Sequence, residues 1–195
     1  VGDSHVTFFM ADVSGHGSSS AFATVLLKNL FARKRSDLLR KDDHSILSPV
    51  EMLQQANQEL LDLGVGKFAT MIVGLLDMEN NTLRYSVAGH LPLPVLVSSE
   101  GARYLQGEGS AVGIAEEVEL EEHSVELPDS FMLALFSDGI LEILPPRDLV
   151  EKEAYFIDVF AQTADSPEQL VTHLGLDHVE TAPDDIAALF LIKRG

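Results

Sequence analysis

Four aspartates stand where strongly apolar stretches begin or end. Asp12 lies at the end of VTFFMADV (6–13), Asp138 follows FMLALFS (131–137), and Asp184-Asp185 directly precede IAALFLIK (186–193). Glycines stand beside two of these sites, Gly15 and Gly17 after Asp12 and Gly139 after Asp138. Runs rich in apolar, β-branched and aromatic side chains read as buried strands, so each acid falls at a strand mouth. A single aspartate in such a place is ordinarily a turn or cap residue. Three strand ends meeting at one edge of a core would instead gather carboxylates that cannot all stay ionised without a cation between them. Hard oxygen ligands with no sulfur favour Mg²⁺ or Mn²⁺ over Zn²⁺. The residue pattern by itself therefore points to a two-metal carboxylate site.

The elements that must position these acids are legible in the same way. SSSAFATVLLKNLFARKR (18–35) has apolar residues at helical spacing, and its Phe22, Leu26, Leu30 stripe is expected to face the core. Ser48-Pro49-Val50-Glu51 supplies an N-cap, a proline at the first helical position and a reciprocal glutamate, so a second helix runs from there to about Leu63. FATMIVGLLDM (68–78) and TLRYSVAG (82–89) flank Glu79-Asn80-Asn81 and read as a hairpin. Shorter strands are expected at 93–97, 102–106 and 118–127, and the nearly all-apolar 131–137 should be buried on both faces. Helices are expected near 147–162, after Pro145-Pro146, and from Ser166 to about Leu174, before the last strand at 186–193. Strand, two helices, a run of strands, helices and a closing strand favour an α+β fold over an alternating one. The two strand sets would pack face to face, with helices outside. No repeat or long linker divides the 195 residues, which read as one domain.

Composition narrows the function further. There is no cysteine, which removes disulfides, thiolate metal sites and a cysteine nucleophile together. Thirteen Lys and Arg stand against thirty-one Asp and Glu, a net charge of −18 that repels nucleic acid and anionic membranes. No apolar run approaches the ~18 residues needed to cross a bilayer, and no secretory signal is visible. A cytoplasmic location is expected. Because the chain starts at Val1, it reads as a C-terminal fragment lacking the first strand or strands. Gly64-Val-Gly-Lys67 is not a P-loop, since no Ser or Thr follows the lysine. Asp12 and His16 are too close together, and lack a Gly-x-Ser nucleophile, to form a subtilisin-like triad.

Four motifs occur in order: Asp12-Val13-Ser14-Gly15-His16-Gly17 before an Ala-containing helix, Ala88-Gly89-His90 before prolines, Ser137-Asp138-Gly139 with Glu142, and Asp184-Asp185-Ile186 before the closing strand. Together they resemble the PPM (protein phosphatase 2C-like) family, in the bacterial branch named for the stage II sporulation phosphatase. The resemblance implies an α/β/β/α sandwich of two antiparallel sheets flanked by helices. It implies two or more Mn²⁺ or Mg²⁺ ions, with Asp12 bridging, the Val13 carbonyl as a further ligand, and Asp138 and Asp184 completing the second metal's shell. Asp185 is the alternative to Asp184. Asp12, Asp138 and Asp184 would thereby be the catalytic residues. Water between the ions would attack a phosphoserine or phosphothreonine in line, without a phosphoenzyme. The implied substrate is a phosphorylated anti-sigma-factor antagonist, and the implied context is an upstream regulatory domain, as in a response regulator's output end. The alternative is a catalytically impaired interaction module on the same fold.

The sequence departs from the family in places. The family has a further aspartate in a Gly-Asp motif on a preceding strand; Gly2-Asp3 has the letters but lies too near the strand at 6–13. The usual threonine after Asp-Asp-Ile is Ala187, and no arginine is placed like the phosphate-binding one of eukaryotic relatives. His16 is either a hydrogen-bond donor near the metal-bound water or a turn residue. His90 is expected to organise a strand-to-turn transition, and Gly113 a tight loop near the site. Lys28, Arg33, Lys34, Arg35, Arg40 and Lys41 cluster early, either as a solvated face or as a patch that steers a phosphoprotein in. If they steer, reversing the charges at Arg33, Lys34 and Arg35 lowers kcat/KM on a phosphoprotein substrate. Unchanged activity leaves them a solvated face.

Overall fold

The computed structural model describes residues 1–2, 4–145, 148–163, 166–178 and 184–194. Asp3 and Pro146, both used in the sequence reading, lie outside the described residues. The chain divides into two units, Val1–His90 with Gly107–Glu126, and Leu91–Gln106 with Leu127–Gly195. Each is built on its own four-stranded antiparallel sheet with its own helices, so the class is α+β as expected.

In the first unit the sheet order is β1-β2-β3-β6, with β1 at His5–Val13, β2 at Ala69–Asp77, β3 at Thr82–Ala88 and β6 at His123–Glu126. β1 and β2 pair along their whole lengths, from His5 opposite Asp77 to Val13 opposite Ala69. Phe8 lies opposite Gly74, and any side chain on Gly74 would run into the Phe8 ring. A strand glycine is ordinarily a weakness; here it makes room for an aromatic neighbour. Two helices pack onto this sheet, α1 (Ser18–Lys41) and α2 (Pro49–Leu63), with one 3-10 turn at His44–Leu47 between them. Ser48 caps α2 by accepting the Glu51 amide at 3.3 Å, and Gly64 ends it in the left-handed conformation, as the sequence signals predict.

α1 corrects the expectation in two respects. It runs six residues further, to Lys41, and its core face is Ala23, Leu27, Leu30 and Phe31. Phe22 is 67% exposed and Leu26 only half-buried. The apolar residues of this helix cover more than one face, so spacing alone does not say which of them meets the sheet. Phe31 does, stacking on Phe9 of β1 with ring centroids 3.8 Å apart. The basic cluster is also less free than its composition implies. Arg33 pairs with Glu59, Lys34 with Asp43 at 2.9 Å and Lys41 with Asp37 at 2.9 Å. The Lys34 ammonium and the Ser45 amide hold the Asp43 carboxyl well below the usual carboxylate range. Arg35 makes no ion pair among the described residues, so its reversal alone probes steering without breaking one.

In the second unit the order is β5-β4-β7-β8, with β4 at Val95–Ser98, β5 at Gly101–Tyr104, β7 at Phe131–Phe136 and β8 at Ala188–Lys193. All six residues of β7 are buried. Helices α4 (Leu149–Gln162) and α5 (Pro167–His173) close one side, started by Asp148 and Ser166, which accept the Glu151 and Gln169 amides. A short helix absent from the sequence reading, α3 (Gly139–Ile143), follows β7 directly, and strand β6 is shorter than the 118–127 expected. Phe136 meets Phe156, Phe160 and Phe190 edge to face, at centroid distances of 5.2, 6.2 and 5.6 Å. Such a ring cluster carries more than its buried area, and it anchors the residue just before Ser137-Asp138. Phe136→Ala is therefore expected to destabilise the protein by about 3–5 kcal/mol, read from urea unfolding.

Candidate active site

Asp12 is delivered by β1 one residue before the strand ends, opposite Thr70 of β2. The Thr70 hydroxyl lies 3.4 Å from Nδ1 of His90, which is buried. Beyond Val13 the chain is tied to the start of β2. The Ser14 amide donates to the Phe68 carbonyl at 2.9 Å, and the Ser14 hydroxyl accepts the Phe68 amide at 3.2 Å. The Ser14 carbonyl accepts from the Ser20 hydroxyl at 3.1 Å and from the Lys67 ammonium at 3.0 Å. Gly15 and Gly17 then take φ of 68° and 90°, in the left-handed region that favours glycine. Between them His16 is exposed and has no hydrogen bond among the described residues. Gly17 occupies the N-cap position of α1, so the first-turn amides receive no side-chain cap. Gly113 lies in a tight loop packed on the Lys67 carbonyl and the Leu60 side chain, as expected of it.

The other three aspartates lie in the second unit, at one end of its sheet. β7 and β8 are antiparallel with Phe136 opposite Ala188, so the end of one strand adjoins the start of the other. Ser137 fastens the two together. Its amide donates to the Ala187 carbonyl at 3.0 Å, its hydroxyl donates to the Asp185 carbonyl at 2.9 Å, and the same hydroxyl accepts the Ala187 amide at 2.8 Å. Gly139 rests against the Asp185 carbonyl so closely that no Cβ fits there. Asp138 and the Asp184-Asp185 pair are thus brought together through backbone contacts.

Asp138 stands at the N-cap position of α3 yet makes no side-chain cap bond, and its exposed carboxylate has no hydrogen bond among the described residues. The ordinary use of an aspartate here, sealing a helix end, is therefore not the use it has. Asp184 Oδ1 accepts the Asp185 amide at 2.8 Å, whereas the Asp185 side chain makes no such bond. Exposed carboxylates left unspent by the fold are hard oxygen donors of the kind Mg²⁺ and Mn²⁺ take, usually with several waters. Their chemistry fits a divalent cation. Within either unit, no three acidic or histidine side chains among the described residues converge into a ready-made cage.

Two residues near the acids escaped the sequence reading, Lys67 and Ser137 as a fastener. In the sequence Lys67 reads only as the end of a failed P-loop match. The available signal was its place just before strand 68–78, because an antiparallel partner to 6–13 begins where that strand ends.

A family model described as Stage II sporulation protein E (SpoIIE) matches residues 2–194. Phosphoserine phosphatase RsbP of Bacillus subtilis (strain 168) is 26% identical over 173 residues, 84% of this chain and 39% of RsbP. The crystal structure of the RsbU and RsbW domains of Rv1364c from Mycobacterium tuberculosis superposes with a TM-score of 0.74 and 25% identity, over 98% of this chain and 53% of that one. The crystal structure of RsbX in complex with magnesium gives a TM-score of 0.66 at 16% identity, covering 97% of this chain and 82% of RsbX, a likeness of fold. The chain thus spans between about a third and a half of RsbP and about half of the crystallised Rv1364c chain.

Ser137→Ala removes two hydrogen bonds at once. It is expected to lower stability by about 1–3 kcal/mol and to speed hydrogen exchange at the Ala187 amide, measured by NMR.

Proposed function

The chain belongs to the Stage II sporulation protein E (SpoIIE) family, and on that premise we propose that it is a metal-dependent serine/threonine protein phosphatase. The observation that carries the reading is Asp138, held beside Asp184-Asp185 by Ser137 and Gly139 with its carboxylate unused by the helix it heads. In this reading Asp12, Asp138 and Asp184 would be the catalytic metal ligands, and the Val13 carbonyl would add a further oxygen. Asp185 remains the alternative to Asp184; the Asp184 side chain turns one oxygen to the next amide, which leaves the other for a cation. Two Mn²⁺ or Mg²⁺ ions, when bound, supply a water acidified for in-line attack on a phosphate ester. The chain's own task is to hold carboxylates of like charge at fixed strand ends. Ser14 and Ser137 do this by bonding to Phe68 and to the Asp185 backbone, and Asp138 keeps its lone pairs for a cation. Exposed His16, four positions after Asp12 in the chain, keeps both of its readings, a hydrogen-bond donor near the site or a turn residue.

The proposed substrate is a phosphoserine or phosphothreonine on a signalling protein, an anti-sigma-factor antagonist. Similarity to a protein named phosphoserine phosphatase supports the chemistry, and likeness to a structure that joins RsbU and RsbW domains supports the regulatory setting. Relatives longer than this chain support an accompanying regulatory domain, as in the output end of a response regulator. A cytoplasmic site of action fits this assignment; among the described residues no helix is long and apolar enough to cross a membrane. The alternative, an interaction module without turnover, draws on the lack of a preformed three-ligand cage among the described residues of either unit.

Hydrolysis of para-nitrophenyl phosphate separates the two. Activity is expected to require added Mn²⁺, and Asp138→Asn should lower kcat/KM by more than the ~10–100-fold typical of losing an outer-shell partner. Turnover that needs neither Mn²⁺ nor Asp138 overturns the mechanism. No turnover at any Mn²⁺ concentration favours the interaction module.

A further inference from the structure

Lys67 has no part in the mechanism above, yet its surroundings hold it in one place. Its ammonium donates to the Ser14 carbonyl, two residues beyond Asp12. On one side Phe68 exchanges two hydrogen bonds with Ser14. On the other, the Lys67 carbonyl packs against Gly113, where a Cβ would come within 2.8 Å of it. Gly113 is itself gripped by buried Asn57 of α2, whose Oδ1 accepts the Gly113 amide at 2.7 Å and whose Nδ2 donates to the Ala115 carbonyl at 2.9 Å. Across the turn, a Cβ on Gly15 would stand 2.9 Å from the Lys67 ammonium, so the bare glycine leaves space for that charge.

The electrostatics give this placement a direction. Arg33, Lys34, Lys41 and Arg84 in the same unit each face a carboxylate. Half-buried Lys67 has no carboxylate within ion-pair distance among the described residues, in a chain whose net charge is −18. An ammonium carries three donors, and Lys67 spends one on a neutral carbonyl. A positive charge fixed on the loop that follows Asp12 opposes cation binding there when it acts alone. It becomes favourable when the site also receives a ligand carrying two negative charges. The uncapped first turn of α1, which starts from the same loop, adds a partial positive charge of the same sense.

We propose that Lys67 contacts a non-bridging oxygen of the substrate's phosphate group and is the residue by which this chain selects a phosphate dianion. The inference rests on the phosphatase reading and deepens it. Binding of inorganic phosphate to the chain in Mn²⁺, followed by calorimetry, tests it without requiring turnover. Lys67→Met, which keeps the stem and removes the charge, is expected to weaken phosphate by about tenfold or more, the scale of one charge-assisted hydrogen bond. Lys67→Arg should retain most of the affinity, and KM for para-nitrophenyl phosphate should rise in step with the phosphate dissociation constant. Affinity for Mn²⁺ alone is expected to stay level or tighten in Lys67→Met. Circular dichroism checks folding, with Lys67→Gln as the second variant if the methionine form is unfolded. Unchanged phosphate affinity, or Mn²⁺ affinity falling by the same factor as phosphate affinity, overturns the proposal and makes Lys67 a brace for the loop. Lys67-dependent phosphate binding without hydrolysis by the unsubstituted chain upholds the contact and sinks the phosphatase reading instead.

Discussion

Carboxylates of like charge repel, and a fold that places them side by side must hold them there by means other than their own side chains. In the second unit Ser137 meets that requirement. With its hydroxyl both donating and accepting, and its amide bonded as well, it makes three hydrogen bonds to the segment that carries Asp184 and Asp185. Behind it Phe136 is locked among three aromatic rings, and ahead of it Gly139 allows the Asp185 backbone to close in. Ser14 has the corresponding office in the first unit, bonding through both amide and hydroxyl to Phe68. In both places a serine next to the acid-bearing strand end ties that end to its neighbour through hydrogen bonds with the backbone. Asp138 is left as a donor to whatever cation arrives, which is how an exposed carboxylate becomes a ligand rather than a cap.

The distribution of the remaining charge is consistent with this division of labour. Four basic residues, Arg33, Lys34, Lys41 and Arg84, each face an acid, and the Arg84 guanidinium engages both oxygens of Glu122 at 2.9 Å. Such exposed pairs contribute little stability each, since solvent screens them. Their effect is on the field: they offset local positive charge in a chain whose net charge is −18. A phosphoprotein approaching such a surface is repelled at long range, and metal ions together with isolated basic side chains must supply the attraction at short range.

The strands and most helix starts were legible because they depend on local signals. VTFFMADV and FMLALFS are apolar throughout, and Ser48-Pro49 and Ser166-Pro167 carry their caps in the sequence itself. Asp12, Asp138 and Asp184-Asp185 were legible because each adjoins such a strand. The face of α1 was not, because Phe22, Leu26 and Leu30 offer one apolar stripe and Ala23, Leu27 and Leu30 another, and only the sheet beneath decides between them. Short α3 was missed because five residues carry no full helical period. Lys67 was missed for a different reason: its significance comes from Ser14, 53 positions away, and from Gly113 on a third segment. Ala187, noted as a departure from the family's threonine, engages Ser137 through its amide and carbonyl, groups that any residue but proline would supply.

The ring of Phe8 lying over bare Gly74 bears on how reliably Asp12 reaches its place. An antiparallel pair can in principle assemble out of step, and a slip of two residues keeps every side chain on its proper face. Here such a slip would set Phe8 against Leu76 or Ile72, where no hollow receives it. Misaligned pairings of β1 and β2 are therefore penalised at the middle of the ribbon, well before the chain reaches Asp12 and Thr70. A glycine far from any reactive group thus works as a proofreader during assembly, deciding whether the acid arrives beside the correct threonine at all.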